Sequence, residues 1–388
     1  MEHATTQHKR SHLERLLDQT DARLLAFHQD MAELFDVRHA LFHLPDSLMR
    51  TNKPESEQPA SAGLYDEPSY NGAFLQADLG LRGGGSLEFH QETESYNPNP
   101  SDSPELAEKK RMYRRKILEV AQKHGFVAQE PGEATSDIDR ELGILDSTLK
   151  PIEGPVDIIV AGAAGLANIV RTRDALRNIE SGTVTTNHII LTGCERPISE
   201  RERANLEQKG FSGGATEYES LLRAAEQVLG AEFGKNERAI AVPYGDSLQT
   251  RLSEGTAVIN GQNVRITVLS APFDPKRMVG DKPAARANTE ETFLAAMPLL
   301  EDGHDVLIVS HDTWVPYQQG IGELTLGTQT NKAIHCTGPL KADRVYWADD
   351  GEMDIKDAQG VVDEMAKVYR ELMRNRVAIV NASEGALQ

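Results

Sequence analysis

The C-terminal two-thirds of the chain alternates short apolar runs with longer stretches of helical periodicity. Near-continuous apolar runs are typical of strands in a parallel sheet whose two faces are both covered by helices. Each run ends in a small, polar or turn-forming segment, and the five runs are 157–161, 188–192, 239–243, 265–270 and 305–310. The segments with helical periodicity are 165–179, 216–229, 288–300 and 358–373. This alternation predicts an α/β fold with a Rossmann-like, doubly wound, mostly parallel sheet.

Further short strands are expected beside this main alternation. Residues 256–260 and 264–269 flank a turn at 261–263, a pattern that predicts a hairpin. Residues 344–347 are another strand candidate, and residues 376–380 predict a late strand at the edge of the sheet.

The N-terminal part has a different character. Residues 11–36 carry apolar side chains such as Leu13, Leu24 and Met31 in steps of three and four, which predicts an amphipathic helix. This helix either packs on its own chain or forms the seam of a homodimer. By composition the chain divides into a helical region 1–44, an irregular and partly mobile segment 45–106, a helical connector 107–151, and an α/β domain 152–388 that ends in a helix and an edge strand.

The helical stretch 104–124 contains a basic segment, residues 109–116, in which six of the eight residues are lysine or arginine. It is interpreted either as a solvated helix face or as a nucleic-acid contact. The formal net charge of −19 argues against a general nucleic-acid binder and against a membrane-surface protein. No apolar run is long enough to span a membrane, and the start of the chain has no apolar leader segment.

The cysteine and histidine pattern limits the chemistry further. Two cysteines cannot form a disulfide framework, so a cytoplasmic, reducing location is expected. No spacing of the zinc-binding kind is present, and no metal site is predicted.

Ligands of open α/β sheets bind beyond the carboxyl ends of the strands, so the segments after the apolar runs are the candidate site. Gly162 and Gly165 follow the first run, where they allow a tight turn, and the next helix start offers N–H groups to an anion. The dinucleotide fingerprint is incomplete, and a simple strand–helix turn is the alternative. Arg171 and Arg173 lie further along this helix, beyond direct reach of a phosphate at its start.

The other strand ends supply the remaining candidates. Thr192 and Gly193 end the second run. Thr216 and Glu217 can cap the helix that follows, and Glu217 can alternatively act as a ligand or general base. Asn288 and Thr289 start a helix in a capping-box arrangement, which local structure alone explains. The run at 305–310 leads into Ser310, His311 and Asp312, among which His311 and Asp312 are candidate catalytic groups.

The order of these segments resembles the YdcF/SanA/ElyC-like family of bacterial α/β proteins over residues 155–325. The family pattern has a glycine-rich first strand end, a strand ending in Ser-Gly or Thr-Gly, a helix with Ser-Glu-Ala, an Asn-Thr-x-Glu-Asn segment, and a strand that runs into Val-Thr-Ser-x-x-His-x-x-Arg-Ala. The matching positions in this chain are Gly162, Thr192-Gly193, Thr216-Glu217-Tyr218, 288–292 and 309–317.

This resemblance carries its own expectations and departures. It implies a nucleotide-like ligand such as S-adenosylmethionine and envelope-related roles, without one fixed reaction. Trp314 and Tyr317 stand where the family has histidine and arginine, and Thr292 replaces the last asparagine, so His311 would have to take over the histidine's part.

The leading hypothesis is therefore a domain that binds an anionic or nucleotide-like small molecule, with hydrolase or transferase activity. The alternatives are a non-catalytic binding or regulatory module that assembles through its N-terminal helices, and nucleic-acid association through residues 109–116.

Overall fold

The computed structural model describes residues 2–42, 99–127 and 149–385, apart from short gaps at 164, 245–247, 275, 277, 280–281, 284–285, 312–313, 340–343, 349–350 and 357. The irregular segment predicted at 45–106 falls almost wholly outside the described residues. The chain divides into two compact units. One contains residues 1–13 and 133–340, and the other contains residues 14–132 and 341–388.

The first unit is built on a seven-stranded sheet in the order β3-β4-β5-β2-β1-β8-β9. Its strands are β1 (Pro155–Ala161), β2 (Thr185–Gly193), β3 (Glu232–Ala241), β4 (Gln249–Ile259), β5 (Gln262–Ser270), β8 (Asp305–Val309) and β9 (Ile334–Thr337), and β6 (Met278–Val279) and β7 (Lys282–Pro283) form a separate short ladder. Strands β5, β2, β1, β8 and β9 run parallel. The predicted α/β class with a mostly parallel sheet is therefore confirmed.

Helices cover both faces of this sheet. They are α3 (Leu166–Glu180), α4 (Glu200–Gln208), α5 (Glu217–Leu229), α6 (Thr289–Ala296), α7 (Val315–Gly322) and α8 (Thr328–Thr330), with a 3₁₀ turn at Met297–Leu299 and a π turn at Glu323–Gly327. Alternate residues of β1 point to different cores: Ile158 packs with the α3 and α5 side, and Ile159 packs with the α6 and α7 side. Burial of both faces explains why these strands are continuous apolar runs.

The antiparallel edge was predicted only in part. Strands β4 and β5 form the expected hairpin around Asn260 and Gly261, whose φ angles are both positive, and they are longer than the sequence indicated. The run at 239–243 does form a strand, but it pairs antiparallel with β4 at the sheet edge. Helix α4 was not predicted; its signal is the capping box of Ser199 and Glu202.

The second unit is formed by helices and one short hairpin. Its elements are α1 (Glu2–Phe42, of which residues from 14 onward belong here), α2 (Pro104–Lys123), β10 (Val345–Trp347), β11 (Met353–Ile355) and α9 (Ala358–Gly385). Leu24, Phe27, Met31 and Leu34 are buried within the single chain. This burial favours a helix that packs on its own chain over a dimer seam.

The strand predicted at 376–380 is wrong, because these residues continue α9. The buried residues Tyr369, Leu372, Arg376 and Ile379 follow steps of three and four, which continue one helical face through the segment. The helix contains no proline, and β-branched residues lower helix propensity only slightly, so the β-branched residues near its end remain helical.

Every charge of the basic segment has an acidic partner within its own unit. The pairs are Lys109–Glu105, Lys110–Asp102, Arg111–Glu108, Arg114–Asp354, Arg115–Glu352 and Lys116–Glu33, at N–O distances of 2.7–2.9 Å. Lys110 and Arg114 are buried. This pattern favours the interpretation as a structural helix face over a nucleic-acid contact.

Candidate functional site

The chain reverses direction across the sheet between β1 and β8. After β1 it passes to β2 and then to β3 at the far edge, returns through β4 to β5 beside β2, and then crosses to β8 on the other side of β1. Helix α3 follows β1 on one face of the sheet and α7 follows β8 on the other, so the carboxyl ends of these two strands form the topological switch point, called the crevice below. Open α/β sheets bind their ligands at such a switch point.

Helices α3 and α7, which follow β1 and β8, share an unusual start. Neither has a capping side chain or an acidic residue in its first turn. Helices α4, α5 and α6, in contrast, each have a capping side chain and acidic residues in the first turn. Within the described residues, the first turns of these two helices therefore carry no side chain that neutralises their positive ends.

Arg171 lies beneath the loop that joins β1 to α3. Its Nη1 donates to the carbonyl oxygens of Ala161 and Gly162, and Asn168 accepts a hydrogen bond from Ala163 N–H in the same loop. The long side chain of Arg171 turns back toward the strand end, where it contacts backbone carbonyl oxygens, and the prediction that it does not cap a phosphate directly stays a prediction. Arg173 instead points away and pairs with Glu180.

Among the described residues, no carboxylate forms a salt bridge with Arg171, although the charge of Glu217 acts on it from a distance. The side chain is 4% exposed, and its Nε has no hydrogen-bond partner within the described part of the chain. Burial lowers the pKa of this guanidinium to about 10, although the negative charge of Glu217 opposes the effect. The guanidinium remains protonated at neutral pH, so the loop covers a buried positive charge.

Glu217 occupies a slot that two glycines leave open. A Cβ on Gly162 would lie 2.1 Å from the carbonyl oxygen of Thr192 and 2.5 Å from Glu217 Oε1. A Cβ on Gly193 would lie 2.5 Å from a methyl carbon of Leu221 and 3.4 Å from Glu217 Cγ. These two predicted ligand-binding glycines thus have a packing role, which is to admit Glu217 to the strand ends.

The two carboxylate oxygens of Glu217 differ in their surroundings. Oε2 lies 3.4 Å from Cys194 Sγ and 3.3 Å from Arg196 Nε, both of which donate to it. No donor to Oε1 is present among the described residues, although the side chain is only 8% exposed. Thr216, and not Glu217, caps α5.

Burial sets the protonation chemistry around Glu217. It raises the pKa of the Glu217 carboxyl, against the opposing effects of Arg196 and Cys194. Burial and the adjacent Glu217 charge raise the pKa of Cys194 to about 11, so this thiol is not a thiolate nucleophile. Glu217 has the properties of a general acid or base, since its pKa is shifted toward neutrality.

Ser310 and His311 occupy the end of β8. Ser310 is fully buried, and its Oγ has no hydrogen-bond partner among the described residues. His311 is half-buried, and its carbonyl oxygen accepts a hydrogen bond from Trp314 N–H. Trp314 packs edge-to-face against Tyr317, with ring centres 5.8 Å apart. Asp312, the third member of the predicted group, lies outside the described residues.

The other predicted residues have structural partners. Thr192 is buried, and its hydroxyl donates to the carbonyl oxygen of Val160 at 3.4 Å. Asn288 and Glu291 form the expected capping box, and Glu291 also accepts a hydrogen bond from Asp274 N–H. The carbonyl oxygen of Thr289 accepts from the hydroxyl of Thr292. The start of α6 is thus satisfied by its own chain.

A second polar cluster lies near the amino ends of the central strands. Asp157 is fully buried; its Oδ2 accepts from Glu301 N–H at 2.7 Å, and its Oδ1 lies 3.2 Å from His304 Nδ1. Burial alone would raise the pKa of Asp157, but the adjacent His188 and the hydrogen bonds from Glu301 N–H and His304 outweigh it and lower the pKa. Arg265 joins the cluster by donating to Glu301 and His188.

This cluster is also the one group in the described chain whose side chains are close enough to share a metal ion, through Asp157, Glu301 and His304. The carboxylate oxygens of Asp157 and Glu301 already accept hydrogen bonds from the protein. These contacts are those of a structural hydrogen-bond network. A cavity of about 380 Å³ adjoins it and is lined by His304, Asp305 and Lys332 among others. None of the predicted site residues lines this cavity.

Arg171 and Arg196 were missed by sequence reasoning as parts of the site. A signal for Arg171 was available, since it lies three residues after Asn168 and four before Ala175 and so shares their buried helix face. Arg196 forms ion pairs with Glu202 of α4 and Glu217 of α5. Because its partners lie on two different helices, no local sequence pattern identifies these contacts.

Comparison with known proteins gives no relative for this chain: no protein-family model matches it, and no significant match was found among curated proteins or solved structures. In the part of the chain that the structure describes, no helix has the length and apolar character needed to cross a membrane.

Proposed function

We propose that this chain binds an anionic, phosphate-bearing small molecule in the crevice between the carboxyl ends of β1 and β8. The observation that carries the proposal is Arg171, a buried cation beneath the loop that leads into α3, for which the described residues provide no salt bridge. A buried charge is unfavourable unless it is paired, and an anion above the loop would supply the missing partner.

The uncapped starts of α3 and α7 support the same ligand chemistry. Free N–H groups and positive helix ends bind phosphate and carboxylate groups without further adaptation. The unpartnered hydroxyl of Ser310 offers one further donor at the end of β8. Three independent features of the crevice thus favour negative charge.

We extend the proposal to a nucleotide-like ligand and to a hydrolase or transferase reaction, as in a distant member of the bacterial YdcF-like family. S-adenosylmethionine, which carries no phosphate, is the ligand that the family resemblance alone would favour, and it is the alternative to a phosphate-bearing anion. Glu217 would then act as the general acid or base, and His311 would assist from the end of β8. The two reduced cysteines are compatible with a cytoplasmic protein.

Calorimetric titration and thermal unfolding with phosphate, pyrophosphate, AMP and S-adenosylmethionine test the proposal. A ligand present at about 100 times its Kd should stabilise the chain by about 2.7 kcal/mol. Arg171→Met removes the buried charge while keeping much of the side-chain volume, and it should weaken binding at least tenfold.

Arg173→Met is the matched control, since Arg173 lies on the same helix and pairs with Glu180. Its affinity should equal that of the wild type. Absence of binding by every probe, or equal affinities of the two variants, would contradict the proposal.

A further inference from the structure

We propose that Glu217 makes this site select phosphate over sulfate, because its free carboxylate oxygen requires a ligand group that carries a hydrogen. The inference rests on the proposed anion site and names the class of anion that it accepts. Phosphate and sulfate have nearly the same size and shape, so only the hydrogen on phosphate distinguishes them here.

The position of Glu217 puts its carboxylate beside the loop that would hold the anion. Oε1 lies so close to Gly162 that even a methyl group there would be 2.5 Å from it. Gly162 is the first residue after β1, and Arg171 donates to its carbonyl oxygen from below. An anion bound over this loop therefore meets both the guanidinium charge and the carboxylate of Glu217.

The hydrogen-bonding state of Glu217 leaves one oxygen for a ligand. Cys194 and Arg196 both donate to Oε2. Oε1 has no donor within the described residues, and a buried carboxylate oxygen is strongly stabilised by one. The side chain is more than nine-tenths buried, but Oε1 is not fully enclosed, so a bound ligand can replace solvent as the source of that donor.

An ionised carboxylate accepts hydrogen bonds and donates none. Inorganic phosphate retains at least one P–O–H group at neutral pH, and that hydroxyl donates to Glu217 Oε1. Sulfate has no hydrogen at this pH, so its oxygen would face Oε1 with like charge and without a hydrogen bond. Sites that are built to hydrogen-bond a hydroxyl discriminate strongly against analogues that lack it.

Other charged groups act on Glu217 from each neighbouring segment. Arg171 and Arg196 favour its ionised form, whereas burial favours the protonated form. Protonated Glu217 can donate to sulfate, so the affinity for sulfate should rise as the pH falls through the raised pKa of this carboxyl. Arg286 before α6 and the thiol of Cys194 after β2 also lower the pKa of Glu217, and Glu202 of α4 acts on it through Arg196.

Calorimetric titration of the full chain with inorganic phosphate and with sulfate at neutral pH tests the inference. The wild type should prefer phosphate by about 100-fold or more. Glu217→Gln supplies an amide N–H₂ that donates to sulfate, so its two affinities should agree within about threefold. Glu219→Gln, on the same helix turn, is the control and should keep the wild-type preference.

The outcomes separate this inference from the proposed function. Binding of phosphate and sulfate with equal affinity by the wild type overturns the inference and leaves the anion site intact. A preference that persists in Glu217→Gln also overturns it. Absence of binding for both anions overturns the anion site itself, and the inference with it. If Glu217→Gln does not fold, the pH series of sulfate binding to the wild type decides, since pH-independent sulfate affinity contradicts a role of Glu217.

Discussion

Replacement of Asp157 by asparagine should destabilise the sheet unit by about 3 kcal/mol at neutral pH. The fully buried carboxylate accepts hydrogen bonds from Glu301 N–H and from His304 Nδ1. Asparagine keeps one acceptor oxygen but places an N–H₂ group against the second donor. Loss of one hydrogen bond to a buried charge costs about 1.5–3 kcal/mol of folding stability. Weakening of the other hydrogen bond costs about 1 kcal/mol more.

The effect should depend on pH in a specific direction. The pKa of Asp157 in the fold lies below its ordinary value of 3.8, so the carboxylate stabilises the folded state above that value. As the pH falls below 3.8, this contribution is lost, because protonated Asp157 approaches the neutral asparagine in its interactions. The difference between wild type and variant should therefore be constant near neutrality and shrink in acid.

Urea unfolding of the wild type and Asp157→Asn at several pH values between about 7 and 3.5 measures this difference. Asp305→Asn is the matched control, because Asp305 begins the neighbouring strand β8 but is 39% exposed. We expect the control to lose less than about 1 kcal/mol. Equal losses in the two variants, or a loss for Asp157→Asn that does not change with pH, would refute the role assigned to the buried carboxylate.

Three further variants test separate parts of the site. Ser310→Ala should leave the stability measured by thermal unfolding unchanged or raise it by about 1 kcal/mol, because it removes a buried hydroxyl that has no hydrogen-bond partner among the described residues. The control is Ser253→Ala, which removes a buried hydroxyl that is hydrogen-bonded and should lose about 1 kcal/mol. Gly162→Ala should lose several kcal/mol of folding stability, because its Cβ would lie 2.1 Å from a backbone oxygen. Gly234→Ala is the control, since Gly234 has open space around it, and should lose less than about 1 kcal/mol of stability. Equal melting temperatures of the two variants would contradict this prediction. Glu217→Gln should become more stable relative to wild type as the pH rises from about 4.5 to 7. The raised pKa means that ionisation penalises the wild-type fold, by about 1.4 kcal/mol for each unit of elevation, and a pH-independent difference would contradict the raised pKa.

The main architecture could be predicted because it depends on local patterns. Runs such as 188–192 and 305–310 are apolar on both faces, and only a covered parallel sheet buries both. The helix starts at Asn288 and Thr216 were visible as capping residues. The error at 376–380 arose where a short β-branched run lay within a longer helical face, so tertiary packing decided its conformation.

The site was predictable to a lesser degree. The strand ends at Gly162, Gly193 and Ser310 were found, because strand position alone identifies the carboxyl edge. The roles of the residues there depend on contacts between distant segments. That glycines 162 and 193 make room for Glu217, and that Arg171 turns back under the loop, follows only from the packed structure.

The central position of β1 has a consequence for biosynthesis. One edge of β1 can pair with β2 soon after both leave the ribosome, but the other edge pairs with β8, which follows roughly 150 residues later. At about 5–20 residues per second, an apolar strand edge stays open for roughly 8–30 s during translation. Nascent chains that end before residue 309 should therefore require a chaperone to remain unaggregated.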